Sequence, residues 1–216
     1  MIARLYDKLF ASLYDKFFAL AERDGMAARR KELLSSARGR VLEIGAGTGL
    51  NVDSYPETLD RLVLSEPSEP MAKRLIDRVA GISLNPEVVI ATAEELPFED
   101  ASFDTIVSTL VLCTVPDPAA AMTEIKRLLA PGGQLLLLEH TRSESPDRAK
   151  WQDRLETPWR LYGNGCYCNR DTVSIVQSAG FTWDDLQHGT IPHAPPIIKP
   201  LIQARAVMMV QNESSG

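Results

Sequence analysis

In Val41-Leu42-Glu43-Ile44-Gly45-Ala46-Gly47-Thr48-Gly49, an apolar run carrying one acid passes into glycines at alternate positions. A buried strand that runs into such a loop leaves its backbone open to close approach, because no Cβ stands in the way. The spacing is not that of a dinucleotide-binding turn. Gly-x-Gly-x-x-Gly would need glycine at position 50, where the chain has Leu50.

Outward from this stretch, strand-like and helix-like segments alternate. Arg40–Ile44 reads as the first strand and Arg61–Ser65 as the second, with a helix over Ser68–Val79. Val88–Ala91 is a short third strand and Thr105–Thr109 a fourth. Asp117-Pro118 offers an N-cap acid with proline at the first helical position, so Ala119–Leu129 reads as helix, ended by Pro131-Gly132-Gly133. Gln134–Glu139 is nearly all leucine, as a strand buried on both faces should be. A helix over Asp171–Ala179 and an antiparallel pair, Thr182–Leu186 with Ala204–Val210, complete the pattern. The alternation predicts an α/β fold: a doubly wound, mostly parallel seven-stranded sheet with an antiparallel last strand. Residues 2–34 read as helix, interrupted at Gly25, and residues 1–37 are expected to form a helical lid. Its apolar face, with Ile2, Leu5, Leu9, Leu13 and Phe17 in line and Tyr6, Phe10 and Tyr14 beside it, is expected to pack on the domain or to meet a membrane surface. Residues 141–170 break the alternation and gather Trp151, Trp159, Tyr162, Tyr167, Cys166 and Cys168. An insertion after the fifth strand leaves from the ligand-binding edge of such a sheet, so it is expected to cover the substrate side.

The 216 residues are enough for a single domain with one sizeable core. A formal charge of −6 argues against broad nucleic-acid binding. No uninterrupted apolar run is long enough to span a bilayer, and the charges at Arg4, Asp7, Lys8, Asp15 and Lys16 make a poor signal peptide. Cys113, Cys166 and Cys168 are few and unevenly placed, which fits a reducing compartment and a cytoplasmic location. Cys-x-Cys is neither a common zinc spacing nor a redox motif, and no metal is expected. The acid closing the second strand, Glu66, stands about twenty residues beyond the first glycine, as acidic ribose readers do.

Taken in order, these motifs resemble class I S-adenosylmethionine (SAM) methyltransferases from residue 38 onward. The first motif matches at Glu43, Gly45, Gly47 and Gly49, and the second at Glu66. Ser68-Glu69-Pro70-Met71 resembles the stretch whose Met or Leu packs on the adenine. Ala93-Glu94-Glu95-Leu96-Pro97-Phe98 and Ser102-Phe103-Asp104 resemble the segment bordering the adenine edge. Thr92 stands where the family usually has Asp, and a hydroxyl is a weaker acceptor than a carboxylate. The resemblance implies SAM as methyl donor, S-adenosylhomocysteine (SAH) as product, and a cofactor site that also takes in Leu110, at the end of the fourth strand.

A narrower similarity, through Ser108–Val115, Leu138-Glu139-His140 and Pro158-Trp159 with Gly165-Cys166, is to the thiol S-methyltransferases called methyltransferase-like protein 7. It implies a small, mainly apolar acceptor, with a thiol favoured. Such a thiol, with a pKa near 8.5, is only a few per cent ionised at neutral pH, so alignment, desolvation and a nearby cation or base all matter. His140, at the end of the fifth strand, is the histidine expected at the reaction face. Tyr6, Tyr14, Cys113 and Trp159 are expected to line the substrate pocket; an aromatic cage among them would suit an amine instead. His193, in Thr190-Ile191-Pro192-His193, is a weaker candidate for closing over the substrate. A phospholipid headgroup amine, a quinone-like ring, and a SAM-binding regulator without catalysis are the alternatives.

Overall fold

The computed structural model describes residues 2–209, with side chains from Leu9 onward. Tyr6, Ile2 and Leu5 therefore lie outside the described side chains, and Val210 outside the described residues. The sheet has seven strands in the order β3-β2-β1-β4-β5-β7-β6. β1 (Arg40–Ile44), β2 (Arg61–Ser65), β3 (Glu87–Val89), β4 (Phe103–Thr109) and β5 (Leu129–His140) are parallel. β7 (Pro200–Met208) runs antiparallel between β5 and β6 (Phe181–Thr190).

Alternation along each strand builds two cores. Leu42 and Ile44 of β1, with Leu135 and Leu137 of β5, pack on α4 (Pro118–Leu128) and α6 (Thr172–Ser178). Val41, with Leu136 and Leu138, packs on the other face against α2 (Ala27–Leu34) and α3 (Glu69–Val79). Leu135, Leu136, Leu137 and Leu138 of β5 are fully buried, each stabilising the fold by about 1.5–3 kcal/mol. The Asp117 carboxylate accepts from the amides of Ala119 and Ala120, both at 3.0 Å, and caps α4 as expected.

Three expectations are corrected. β5 begins at Leu129 instead of Gln134, so Pro131-Gly132-Gly133 lies inside the strand, beside a register shift opposite Phe103–Thr105. The segment after β5 contains a 17-residue helix, α5 (Pro146–Tyr162), that its unpatterned sequence did not announce. The break at Gly25 is real, with non-helical Asp24 and Gly25 separating α1 (Ile2–Ala21) from α2, but α1 shows a different face to the domain. Leu9, Leu13 and Phe17 are 54%, 47% and 60% exposed, whereas Phe10, Tyr14 and Phe18 are half-buried and stack with ring centroids 5.6 and 4.7 Å apart. Both stripes repeat every fourth residue, so periodicity alone cannot choose between them. Among the described residues no helix is long and apolar enough to cross a membrane.

Candidate active site

At the carboxyl ends of β1 to β5 lies a cavity of about 580 Å³, within the usual range for a small-molecule site. After β1, Gly45 and Gly47 both have positive φ, +58° and +59°, and both line the cavity. A Cβ on Gly45 would fall 2.7 Å from Val111, while one on Gly47 would meet nothing within 4 Å. The second position is therefore bare backbone facing open space. The Gly47 amide donates to Glu66 Oε2 and the Ser68 amide to Glu66 Oε1, each at 2.8 Å. Glu66 is thus held rigidly on the wall with lone pairs still free, as a diol acceptor requires. Burial raises its pKa against the pull of those two amides.

Glu43 and Gly49 do not line the cavity. A Cβ on Gly49 would come 2.8 Å from Leu75 and 3.1 Å from Arg78, so this glycine serves the packing of α3. Glu43 is buried beneath the loop, where Asn51 Nδ2 and the Tyr55 hydroxyl donate to it at 2.8 and 2.7 Å. Arg30, itself bonded to Glu22, donates to Asn51 Oδ1 at 2.8 Å and completes a buried polar chain. Burial pushes Glu43 up to about 7 despite Tyr55, Asn51 and Arg30. Its task is to hold the loop from below.

Met71 at the start of α3, Thr92, Ala93 and Glu94 after β3, and Leu110 after β4 all line the cavity. Leu110 has φ +57°, a strained conformation for a bulky residue, and its amide donates to Leu138 O. The turn that follows is organised by a buried acid that the sequence did not single out. Glu139 Oε1 accepts from Ser108 Oγ at 2.7 Å and from the amides of Val111 and Leu112 at 2.9 and 3.2 Å.

That turn delivers Cys113 to His140 and Cys166. The ligating atoms of all three lie within 4.8 Å of one another, and all three residues are buried on the cavity wall. His140 Nε2 is 3.0 Å from Cys166 Sγ, and Trp159 Nε1 donates to the same sulfur at 3.3 Å. The Cys113 contact, with His140 and Trp159 adding to it, holds the Cys166 thiol far below the ordinary range; the same contact and burial hold Cys113 above it. Burial pulls His140 down, but the neighbouring Cys166 more than reverses this, and the net direction is up. Cys168 takes no part: its thiol faces the Gln152 carbonyl at 3.4 Å. As the spacing implied, the Cys-x-Cys pair is not a unit: Cys166 finds its partners after β4, at the end of β5 and on α5.

Tyr14 and Trp159 line the cavity. His193 does not; its Nε2 pairs with Asp24 Oδ2 at 2.6 Å at the elbow between α1 and α2. α1 itself is tied over the glycine loop, because Thr48 Oγ1 donates to Asp15 at 2.5 Å while Arg74 and Arg78 approach the same carboxylate at 3.6 and 3.5 Å.

Comparison with known proteins agrees with this geometry. A family described as a methyltransferase domain matches residues 42–137. The thiol S-methyltransferase TMT1A of Homo sapiens is 32% identical over 194 residues, covering 84% of this chain and 79% of that protein. A phosphatidylethanolamine N-methyltransferase of Cereibacter sphaeroides is 34% identical over 122 residues, covering 55% and 60%. The structure of the DhpI–SAH complex superposes with a TM-score of 0.67 over 96% of each chain at 18% identity, which bears on the fold alone. The bare Gly47 backbone beside a fixed Glu66 carboxylate is what a SAM-sized ligand with a sugar diol needs. The chain therefore belongs to the class I SAM-dependent methyltransferases, in the family that includes these thiol S-methyltransferases.

Proposed function

We propose that this enzyme methylates a small apolar thiol. The reading is carried by the sheet order. Glu66 at the end of β2 and His140 at the end of β5 are three strand spacings apart, on the order of 14 Å, along one continuous cavity. The backbone of Gly45 and Gly47 receives the amino-acid end of SAM, Glu66 its ribose, and Met71, Thr92, Ala93, Glu94 and Leu110 surround its adenine and sulfonium. Bound SAM supplies a methyl group on a sulfonium, which is lost by in-line displacement. Phe10, Tyr14 and Phe18 roof the remaining space, exclude water and favour an apolar acceptor over a hydrated one. Cys113, His140 and Cys166 then meet the reacting end of that acceptor, and soft sulfur and imidazole donors suit a thiol better than a carboxylate or a phosphate. The family relationship to thiol S-methyltransferases supports the same acceptor class.

A second reading is supported by the exposed stripe Leu9, Leu13, Phe17 and Leu20, three of which also rim the cavity. Such a stripe suits peripheral contact with a membrane surface, from which a headgroup amine or a quinone-like ring could enter. Incubating the purified chain with SAM and a panel of alkyl thiols, amines and phenols separates the readings. Methyl thioethers are expected. Products from amines or phenols alone would overturn the thiol assignment, and SAM binding without any product would point to a regulator.

A further inference from the structure

We propose that Cys113, His140 and Cys166 form a zinc site whose open fourth position takes the sulfur of the acceptor; this rests on the thiol reading above. Three features of the cluster carry the inference. The donors are two thiols and one imidazole, a set that selects zinc over hard cations, and three protein ligands with one open position are the pattern of a catalytic zinc. They come from three separate places in the chain, after β4, at the end of β5 and after α5, yet converge within 4.8 Å. A tetrahedral zinc with bonds of about 2.0 Å to nitrogen and 2.3 Å to sulfur sets its ligand atoms roughly 3.5–3.8 Å apart. The 3.0 Å between His140 Nε2 and Cys166 Sγ need open only slightly to reach that spacing.

The cluster is also braced from outside. The Tyr167 amide donates to the Cys113 carbonyl at 2.8 Å, tying the loop that carries Cys166 to the loop that carries Cys113. Arg170 Nη1 donates to the carbonyls of Leu112 and Val115 at 2.7 and 2.6 Å and locks the same turn. The Trp159 indole N–H points at the Cys166 sulfur, the contact that an outer partner makes to a metal-bound thiolate. All three ligands line the cavity, so the remaining coordination position faces the space left for the acceptor.

The chemistry follows. A free alkyl thiol is mostly protonated at neutral pH, whereas coordination to zinc deprotonates it outright. The thiol proton leaves to solvent as the sulfur binds. The thiolate then attacks the SAM methyl carbon, an S–C bond forms, and the C–S bond to the sulfonium breaks with its electron pair remaining on SAH. The product thioether is neutral and a poor ligand, so it leaves the metal.

The test uses the full chain, purified under reducing conditions, stripped with a chelator and titrated with cobalt(II) and with zinc against a chromophoric competitor. One equivalent per chain is expected, with the visible bands of tetrahedral cobalt and a thiolate-to-cobalt charge-transfer band that shifts when an alkyl thiol is added. Cys113→Ser and Cys166→Ser are expected to weaken zinc binding more than about 100-fold, and Trp159→Phe by about 10–100-fold, the usual effect of an outer partner. Cys168→Ser is expected to bind as the parent does. Six-coordinate cobalt, or binding no tighter than in Cys166→Ser, would overturn the site. A cobalt spectrum unmoved by thiols would overturn the acceptor's place on the metal. Undiminished thiol methylation by the stripped protein would remove zinc from the reaction and leave the thiol reading standing. The cobalt spectrum of the parent chain decides the matter even if a cysteine variant fails to fold.

Discussion

Glu66 and Glu43 show how one side chain takes two roles on neighbouring strands. Glu66 is pinned by two backbone amides on the cavity wall, which leave it lone pairs to offer as an acceptor. Glu66→Gln replaces one acceptor oxygen by a donor, so SAM affinity measured by calorimetry is expected to fall about 10–100-fold, the worth of roughly 1.5–3 kcal/mol for a charged hydrogen bond. Unchanged affinity would remove Glu66 from the cofactor site. Glu43 instead faces Tyr55, Asn51 and Arg30, with Glu66 as a like charge nearby. Its pKa stands at about 7 in the fold against 4.5 ordinarily. Between these values the folded state holds more protons than the unfolded one, so this group's contribution is full below pH 4.5 and is lost as pH rises through 7. Glu43→Gln removes that dependence, on the order of a few kcal/mol, at the cost of about one hydrogen bond. In urea unfolding the variant is expected to be less stable than the parent at pH 5 and to match or exceed it at pH 8. Parallel pH curves for the two proteins would show that Glu43 is not titrating in this range.

Among the elements, α1 carries the clearest mechanical prediction. It ends at an elbow where Gly25 has φ +145° and Asp24 pairs with His193, and it is latched near its middle by Asp15. The latch joins Thr48, which sits in the glycine loop, to Arg74 and Arg78 of α3. Asp15→Ala is expected to speed SAH release on the order of five-fold, as fits about 1 kcal/mol for a partly exposed charged contact, and to leave the melting temperature nearly unchanged. Stopped-flow release kinetics check this; an unaltered release rate would mean that α1 is a fixed wall and not a lid. The latch left no mark in the sequence, because an aspartate at mid-helix is an ordinary solvent-facing residue until its partner is known. β1 and β2, by contrast, were legible to the residue, since the run of β1 lies between Gly39 and Gly45 and that of β2 between Asp60 and Glu66. α5 was illegible for the opposite reason. It buries little besides Ala149 and Gln152, and it is anchored by the Gln152 side-chain amide, whose Nε2 donates to the carbonyls of Cys168 and Ile197 at 2.8 Å. A polar anchor leaves no hydrophobic period to read.

For the whole molecule, the division of labour along the sheet edge explains which parts of the site could be read in advance. The proposed cofactor half is built from local motifs, in which each strand hands its next few residues to the cavity wall. The reacting half is built from contacts between distant segments, Cys113 with Cys166 and Glu139 with the turn at Val111, and such pairing has no signature in spacing. One signal was available: Glu139 is an acid inside an otherwise leucine-rich buried strand, and such an acid must be bonded to something. The same architecture predicts how the molecule responds to its product. The proposed SAH half is assembled from the ends of β1 to β4, four of the seven strands, so a ligand there is expected to stabilise the chain as a whole. At about 100 times its dissociation constant, SAH adds roughly 2.7 kcal/mol, which for a chain of this size raises the melting temperature by roughly 5–10 °C. NAD at the same concentration is expected to leave it unmoved, because Leu50 occupies the third-glycine position of a dinucleotide turn. A thermal scan in which NAD stabilises and SAH does not would reverse the assignment of the glycine loop, and with it every role that depends on the placement of Glu66.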